Sequence, residues 1–164
     1  MNREIKFRAK PNKAYFFESD NVPTTDGFVF GTPDTRMLNV PGAEKWRKEH
    51  EMVDQPSIVA MTRDGWPCSV VVQEETIGEF SGLQDKTGRD IYEGDIVEVY
   101  DFTSAYASKY RGVVKMHRGS WCVEYEDSII DTVFHPMLFF DDFADRKTEI
   151  ISNIYDNPEL LSAQ

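Results

Sequence analysis

Residues 82–99 read GLQDKTGRDIYEGDIVEV and bring Asp85, Asp90, Glu93, Asp95 and Glu98 together with Gly82, Gly88 and Gly94. Clustered carboxylates suggest a cation loop, and recurring glycines suggest a phosphate cradle. An EF-hand loop needs glycine at its sixth position and glutamate at its twelfth. Counted from Asp85, those positions hold Asp90 and Ile96. A phosphate cradle needs closely spaced glycines between a strand and a helix. Here the glycines are too widely spaced, and a strand pattern follows Gly94. A turn feeding a strand fits better. Gly88 in DKTG can take positive φ, and Asp95 can bond backbone amides of its own turn. In the strand that follows, Ile96 and Glu98 alternate with Val97 and Val99 and should face the opposite way.

The remaining chemistry-bearing residues are scattered, with one exception. His50, His117 and His135 are isolated from one another and from cysteine. Zinc usually needs close ligand pairs, so no metal site is expected. Glu74 with Glu75, and Asp141 and Asp142 with Asp145, are pairs that any acidic chain contains, although Asp142 and Asp145 could share a helix face and hold a divalent cation. No G-x-S-x-G occurs, and Cys122 sits between Trp121 and Val123 like a core thiol, so no catalytic residue is assigned and no cofactor is expected. The exception is SKYRGVVKMHRGSW. Lys109, Arg111, Lys115, His117 and Arg118 lie there with Tyr110 and Trp121. Cations mixed with aromatics suit single-stranded nucleic acid. Arg111, Val113 and Lys115 would share one strand face, so Lys109, Arg111, Lys115, Arg118 and Trp121 form the candidate nucleic-acid site.

Charge works against that site. The 164 residues carry a net charge of −11. Phosphate binding relies on Lys and Arg displacing counterions, so so acidic a surface repels nucleic acid, and it equally disfavours anionic membranes. It suits solubility, or a decoy for a basic partner. Hydrophobic residues make up 40% of the chain, enough for a packed core rather than disorder. Cys68 and Cys122 are too few and too far apart for a disulfide framework. Free thiols fit a reducing cytosol. No apolar run approaches a membrane span, and MNREIKFRAK lacks the apolar stretch of a signal peptide, so a cytoplasmic protein is expected.

Strand signals dominate the elements that must position these residues. REIKFRA alternates, KPNKA turns, and AYFFES is a second strand, which predicts an opening hairpin. Residues 19–43 read as loop with one short strand at GFVFG, and a brief helix is expected in GAEKWRKEHEMV. SIVAMT and CSVVVQ flank an Asp-Gly turn, the second strand reading as buried on both faces. YRGVVKM and SWCVEYE form another hairpin, EIISNIY is a last strand, and Pro158 starts a short terminal helix. The predicted fold class is α+β, mainly β. An N-terminal strand-rich α+β part covers 1–75, a connecting segment 76–90, and a small SH3-like β-barrel with a terminal helix 91–164.

Three stretches carry a family resemblance: REIKFRA near the start, ETIGEFSGLQDKTGRDIYEGDIV in the middle and IISNIYDNPELL at the end. In their order and spacing the chain resembles the YopX family of bacteriophage and prophage proteins. That family commonly has glycine before the terminal Asn-Ile-Tyr, where this chain has Ser152, so a bulge resting on that glycine would have to form with serine. The resemblance implies a phage-encoded protein with a barrel-like C-terminal part, and it implies no reaction. The expectation is a non-enzymatic accessory protein in the bacterial host cytoplasm. It would bind an unidentified host or phage protein, self-assemble into a homo-oligomer, or do both. Nucleic-acid binding through 109–121, an acidic decoy of a basic host protein, and a metal-dependent enzyme using the acids in 141–145 are the alternatives.

Overall fold

A computed structural model of the chain describes residues 6–16, 21–33, 55–101, 108–127, 131–137 and 146–162. Its contacts divide into two units, Glu4–Glu79 and Phe80–Gln164. The division falls inside the stretch expected to connect two domains. All strand pairing is antiparallel.

In the first unit, β1 (Phe7–Ala9), β2 (Val29–Pro33), β3 (Ser57–Met61) and β4 (Pro67–Val71) run in the order β4-β3-β2-β1. Glu79 and Gly78, which open β5 (Gly78–Gln84), pair with Phe7 and Arg8 of β1. The opening hairpin is therefore replaced by longer-range pairing. Residues 13–15 form a turn, and β1 lies between β2 and β5. Ala9, Val29, Ile58, Ala60 and Val70 build the core, with Phe7 and Phe16 packed against it. Burying these chains is what holds β1 between distant partners, because a two-stranded hairpin alone is marginal in water. The β3–β4 hairpin forms as predicted, with Gly65 at φ +83°. Only the end of β4 is buried, since Pro67 and Ser69 are exposed. The helix expected in 42–53 lies outside the described residues.

The second unit contains β6 (Asp90–Tyr92), which pairs with the later part of β5, and a five-stranded sheet. That sheet consists of β7 (Asp95–Asp101), β8 (Ser108–His117), β9 (Ser120–Asp127), β10 (Asp131–Pro136) and β11 (Arg146–Asn153), in the order β10-β9-β8-β7-β11. Strand alternation sorts its side chains as the sequence predicts. Val97, Val99, Val114, Trp121 and Val123 form a core with Ile91 and Met137, and Glu98 faces the other way. Arg118 and Gly119, both at positive φ, make the two-residue turn between β8 and β9. Such a turn matches the twist of the strands it joins. A register shift between Ile150 and Ser152 marks a bulge, so the bulge forms with serine in place. Pro158–Leu161 is a 3-10 turn with proline in its first turn.

The chain is mainly β, as expected, but among the described residues no sheet closes into a barrel. β10 and β11 stand at opposite ends of the strand order and do not pair. The outer edge of β11 is occupied instead by the 85–89 turn, through Lys86 N–H to Thr148 O at 2.8 Å and the Asp85 bond to Ile150. An edge hydrogen-bonded to a loop at these residues is blocked there to another strand. No helix among the described residues is long and apolar enough to cross a membrane.

Candidate functional site

Asp85 anchors the tightest polar cluster. Its Oδ1 accepts from Thr87 N–H at 2.8 Å, Thr87 Oγ1 at 2.6 Å and Arg89 N–H at 3.0 Å. Its Oδ2 accepts from Arg89 Nε at 3.1 Å, Arg89 Nη2 at 2.9 Å and Ile150 N–H at 3.3 Å. Arg89 also donates to Ile150 O. Burial raises the Asp85 pKa. The Thr87 hydroxyl and the amides of Arg89, Thr87 and Ile150 outweigh burial and hold the carboxyl well below the usual range. Both oxygens of this carboxylate are taken up by the protein's own donors.

Two further acids of the turn, Asp95 and Asp90, are also in use. Asp95 is buried, and its Oδ2 accepts Tyr92 N–H at 2.9 Å. Asp90 Oδ1 accepts Gln84 Nε2 at 2.9 Å. Gly94, at φ +82°, donates to Val114 O and accepts from Ile154 N–H, and a Cβ there would sit 2.8 Å from Tyr155 Oη. The central and terminal sequence motifs therefore meet in space. Asp85 and Lys86 hold 148–150, and Gly94 holds 154–155.

The candidate nucleic-acid residues divide between the two faces of the sheet. Lys109, Arg111 and Lys115 share one face, as the alternation predicts. Lys109 Nζ lies 2.9 Å and Arg111 Nη2 3.3 Å from Glu98 Oε2, and Lys115 is paired with Glu124. Tyr100 Oη donates to Glu98 Oε1 at 2.6 Å, and Arg111 Nη1 donates to Leu160 O at 3.0 Å. Burial raises the Glu98 pKa, but the bonds from Lys109, Tyr100 and Arg111 bring it below its ordinary value. Trp121 is buried in the core on the opposite face. Tyr110 packs there too, its ring 4.4 Å from Tyr125, and shares a 3.0 Å hydrogen bond with His135 Nδ1. Arg118 is exposed at the turn.

No group of three or more His, Cys, Asp or Glu that could hold a metal ion occurs among the described residues. The acids in 141–145 lie outside them. Burial pushes the Cys122 thiol up, which suits a core thiol rather than a nucleophile.

The cation face also carries a pocket of about 300 Å³. Val113, Ile154 and Leu161 supply its apolar wall, and Glu126, Thr132 and Ser162 stand among its polar lining. Sequence reasoning missed it. Its walls come from β8, β9, β10 and the C-terminal turn, and no short motif spans them.

A model of the family described as YopX protein matches residues 34–162. The chain belongs to the YopX family. The match takes in the 85–95 turn and the 148–155 strand end that it grips, so the family match includes both halves of that contact. A comparison with curated proteins gives no match.

Proposed function

We propose that this YopX-family protein is a non-enzymatic binding module, encoded by a phage or prophage and working in the cytoplasm of the bacterial host, whose partner is a protein. One observation carries the reading. The groups with the best geometry for chemistry are held by internal bonds: Asp85 by Thr87, Arg89 and Ile150, and Glu98 by Lys109, Arg111 and Tyr100. An acid so occupied is engaged in holding structure rather than presented to a substrate. A protein partner is favoured over nucleic acid because Trp121 is in the core, away from the cations that would hold phosphate.

Crosslinking of the full chain in infected or prophage-bearing cells, followed by mass spectrometry, tests the binding role. One recurrent protein partner is expected. Light scattering distinguishes a second copy from a different chain. Turnover of a substrate lost on mutation of a single acid would overturn the non-enzymatic reading.

A further inference from the structure

Beyond Val113 and Glu124 two middle strands of the five-stranded sheet stop pairing with each other. The β8–β9 ladder runs from His117 with Ser120 to Val113 with Glu124. Past that end, Arg111 pairs with Glu98 of β7, and Glu126 pairs with Thr132 of β10. The pocket of about 300 Å³ opens there, lined by Arg111 from one strand and Glu126 from the other. Its volume is at the small end of ligand sites.

The lining carries both signs of charge in equal number. Arg111 and Lys115 are the cations, and Glu124 and Glu126 are the acids. Arg111 is fixed by Glu98 and Leu160 O, and Lys115 is paired with Glu124. A lone anion here would meet two carboxylates, and a lone cation would meet two cations. Like charges oppose binding, so neither fits. A ligand with one charge of each sign escapes both penalties. The Lys115–Glu124 pair is the one such a ligand can open. Its side chains are 45% and 24% exposed, and a solvent-screened pair contributes little to stability. A ligand carboxylate would take the place of Glu124 on Lys115. A ligand ammonium would take the place of Lys115 on Glu124, on the face that Glu126 shares.

Between the charges the wall is apolar. Val113 is buried, while Ile154 and Leu161 are half-buried and keep part of their surface open to the pocket. An apolar group on the ligand would cover that surface. An α-amino acid joins a carboxylate, an ammonium and a side chain at one carbon. Inside a peptide the same residue has lost both charges, so an extended strand does not match this lining.

We propose that this pocket binds a free α-amino acid with an apolar side chain, its carboxylate toward Lys115 and Arg111 and its ammonium toward Glu124 and Glu126. The site is additional to the protein-binding role above and does not depend on it.

The test titrates the full chain with L-leucine, N-acetyl-L-leucine, L-leucinamide and glycine, followed by calorimetry and by melting temperature. Leucine should bind and raise the melting temperature. The acetyl derivative lacks the ammonium and the amide lacks the carboxylate, so each should bind about tenfold or more weakly. Glycine should bind more weakly than leucine, because it leaves the apolar wall uncovered. Glu126→Gln and Lys115→Gln each remove one charge from the lining without touching the core. Each should weaken leucine binding about tenfold, with little change in the melting temperature of the unliganded protein. Equal binding of leucine and either blocked derivative overturns the two-charge argument. Equal binding of glycine overturns the role of the apolar wall. Unchanged affinity in both variants, or no binding of leucine, valine or phenylalanine, overturns the site and leaves the crosslinking test of a protein partner unaffected.

Discussion

The Asp85 carboxylate accepts the backbone N–H of Ile150 at 3.3 Å, across 65 residues of sequence. The same oxygen accepts from the Arg89 guanidinium, whose Nη2 also reaches Ile150 O. One side chain thus folds its own turn and closes the edge of β11. Asp85→Ala leaves the part-buried amides of Thr87, Arg89 and Ile150 without their acceptor. The expected loss is about 2–4 kcal/mol of unfolding free energy, measured by urea denaturation.

Acid should reproduce part of that loss. The folded-state pKa of Asp85 lies below its unfolded value, so the stabilisation it brings is fully present above about pH 4. It declines as pH falls through the unfolded value toward the folded one. Asp85→Asn should therefore lose stability at pH 7 and show a shallower decline below pH 4 than the parent. Parallel stability–pH curves for the two proteins would contradict this.

Gly94 and Gly88 both take positive φ, but only Gly94 lies against another side chain. Alanine at either position is strained by about 1 kcal/mol. At Gly94 the new Cβ would also meet Tyr155, so Gly94→Ala should cost at least about 1 kcal/mol more than Gly88→Ala. Thermal or chemical unfolding of the two variants measures the difference.

Glu98 and Arg111 tie the C-terminal turn to the sheet through Leu160 O. Glu98→Gln should destabilise the protein by about 1–3 kcal/mol, because Arg111 keeps its half-buried position without its carboxylate. Arg111→Met should in addition speed hydrogen exchange over 154–162. Equal exchange in both proteins would show that the terminal turn is held by apolar contacts alone.

Trp66 is 72% exposed and Trp121 only 7%. Acrylamide should quench Trp66 emission readily and leave Trp121 nearly untouched in the folded protein. Trp121→Ala should cost about 3–5 kcal/mol as a core truncation, whereas Trp66→Ala should be close to neutral.

Local order in this protein was set by local sequence. Gly65, Gly88, Gly94 and Gly119 fixed turns because they take positive φ at little cost, and period-two alternation placed Val97 and Val99 opposite Glu98. Asp95 could be read as a turn acceptor because its partner, Tyr92, is three residues away. Pairings over long distances were not legible in this way. REIKFRA and AYFFES look like a hairpin by pattern, yet β1 lies between β2 and β5, since burial of Ala9 with Val29, Ile58 and Val70 depends on the whole sheet. The stripe of Lys109, Arg111 and Lys115 was legible as a face. That Glu98 and Glu124 neutralise it, and that Trp121 points the other way into a core, depends on which strands become neighbours.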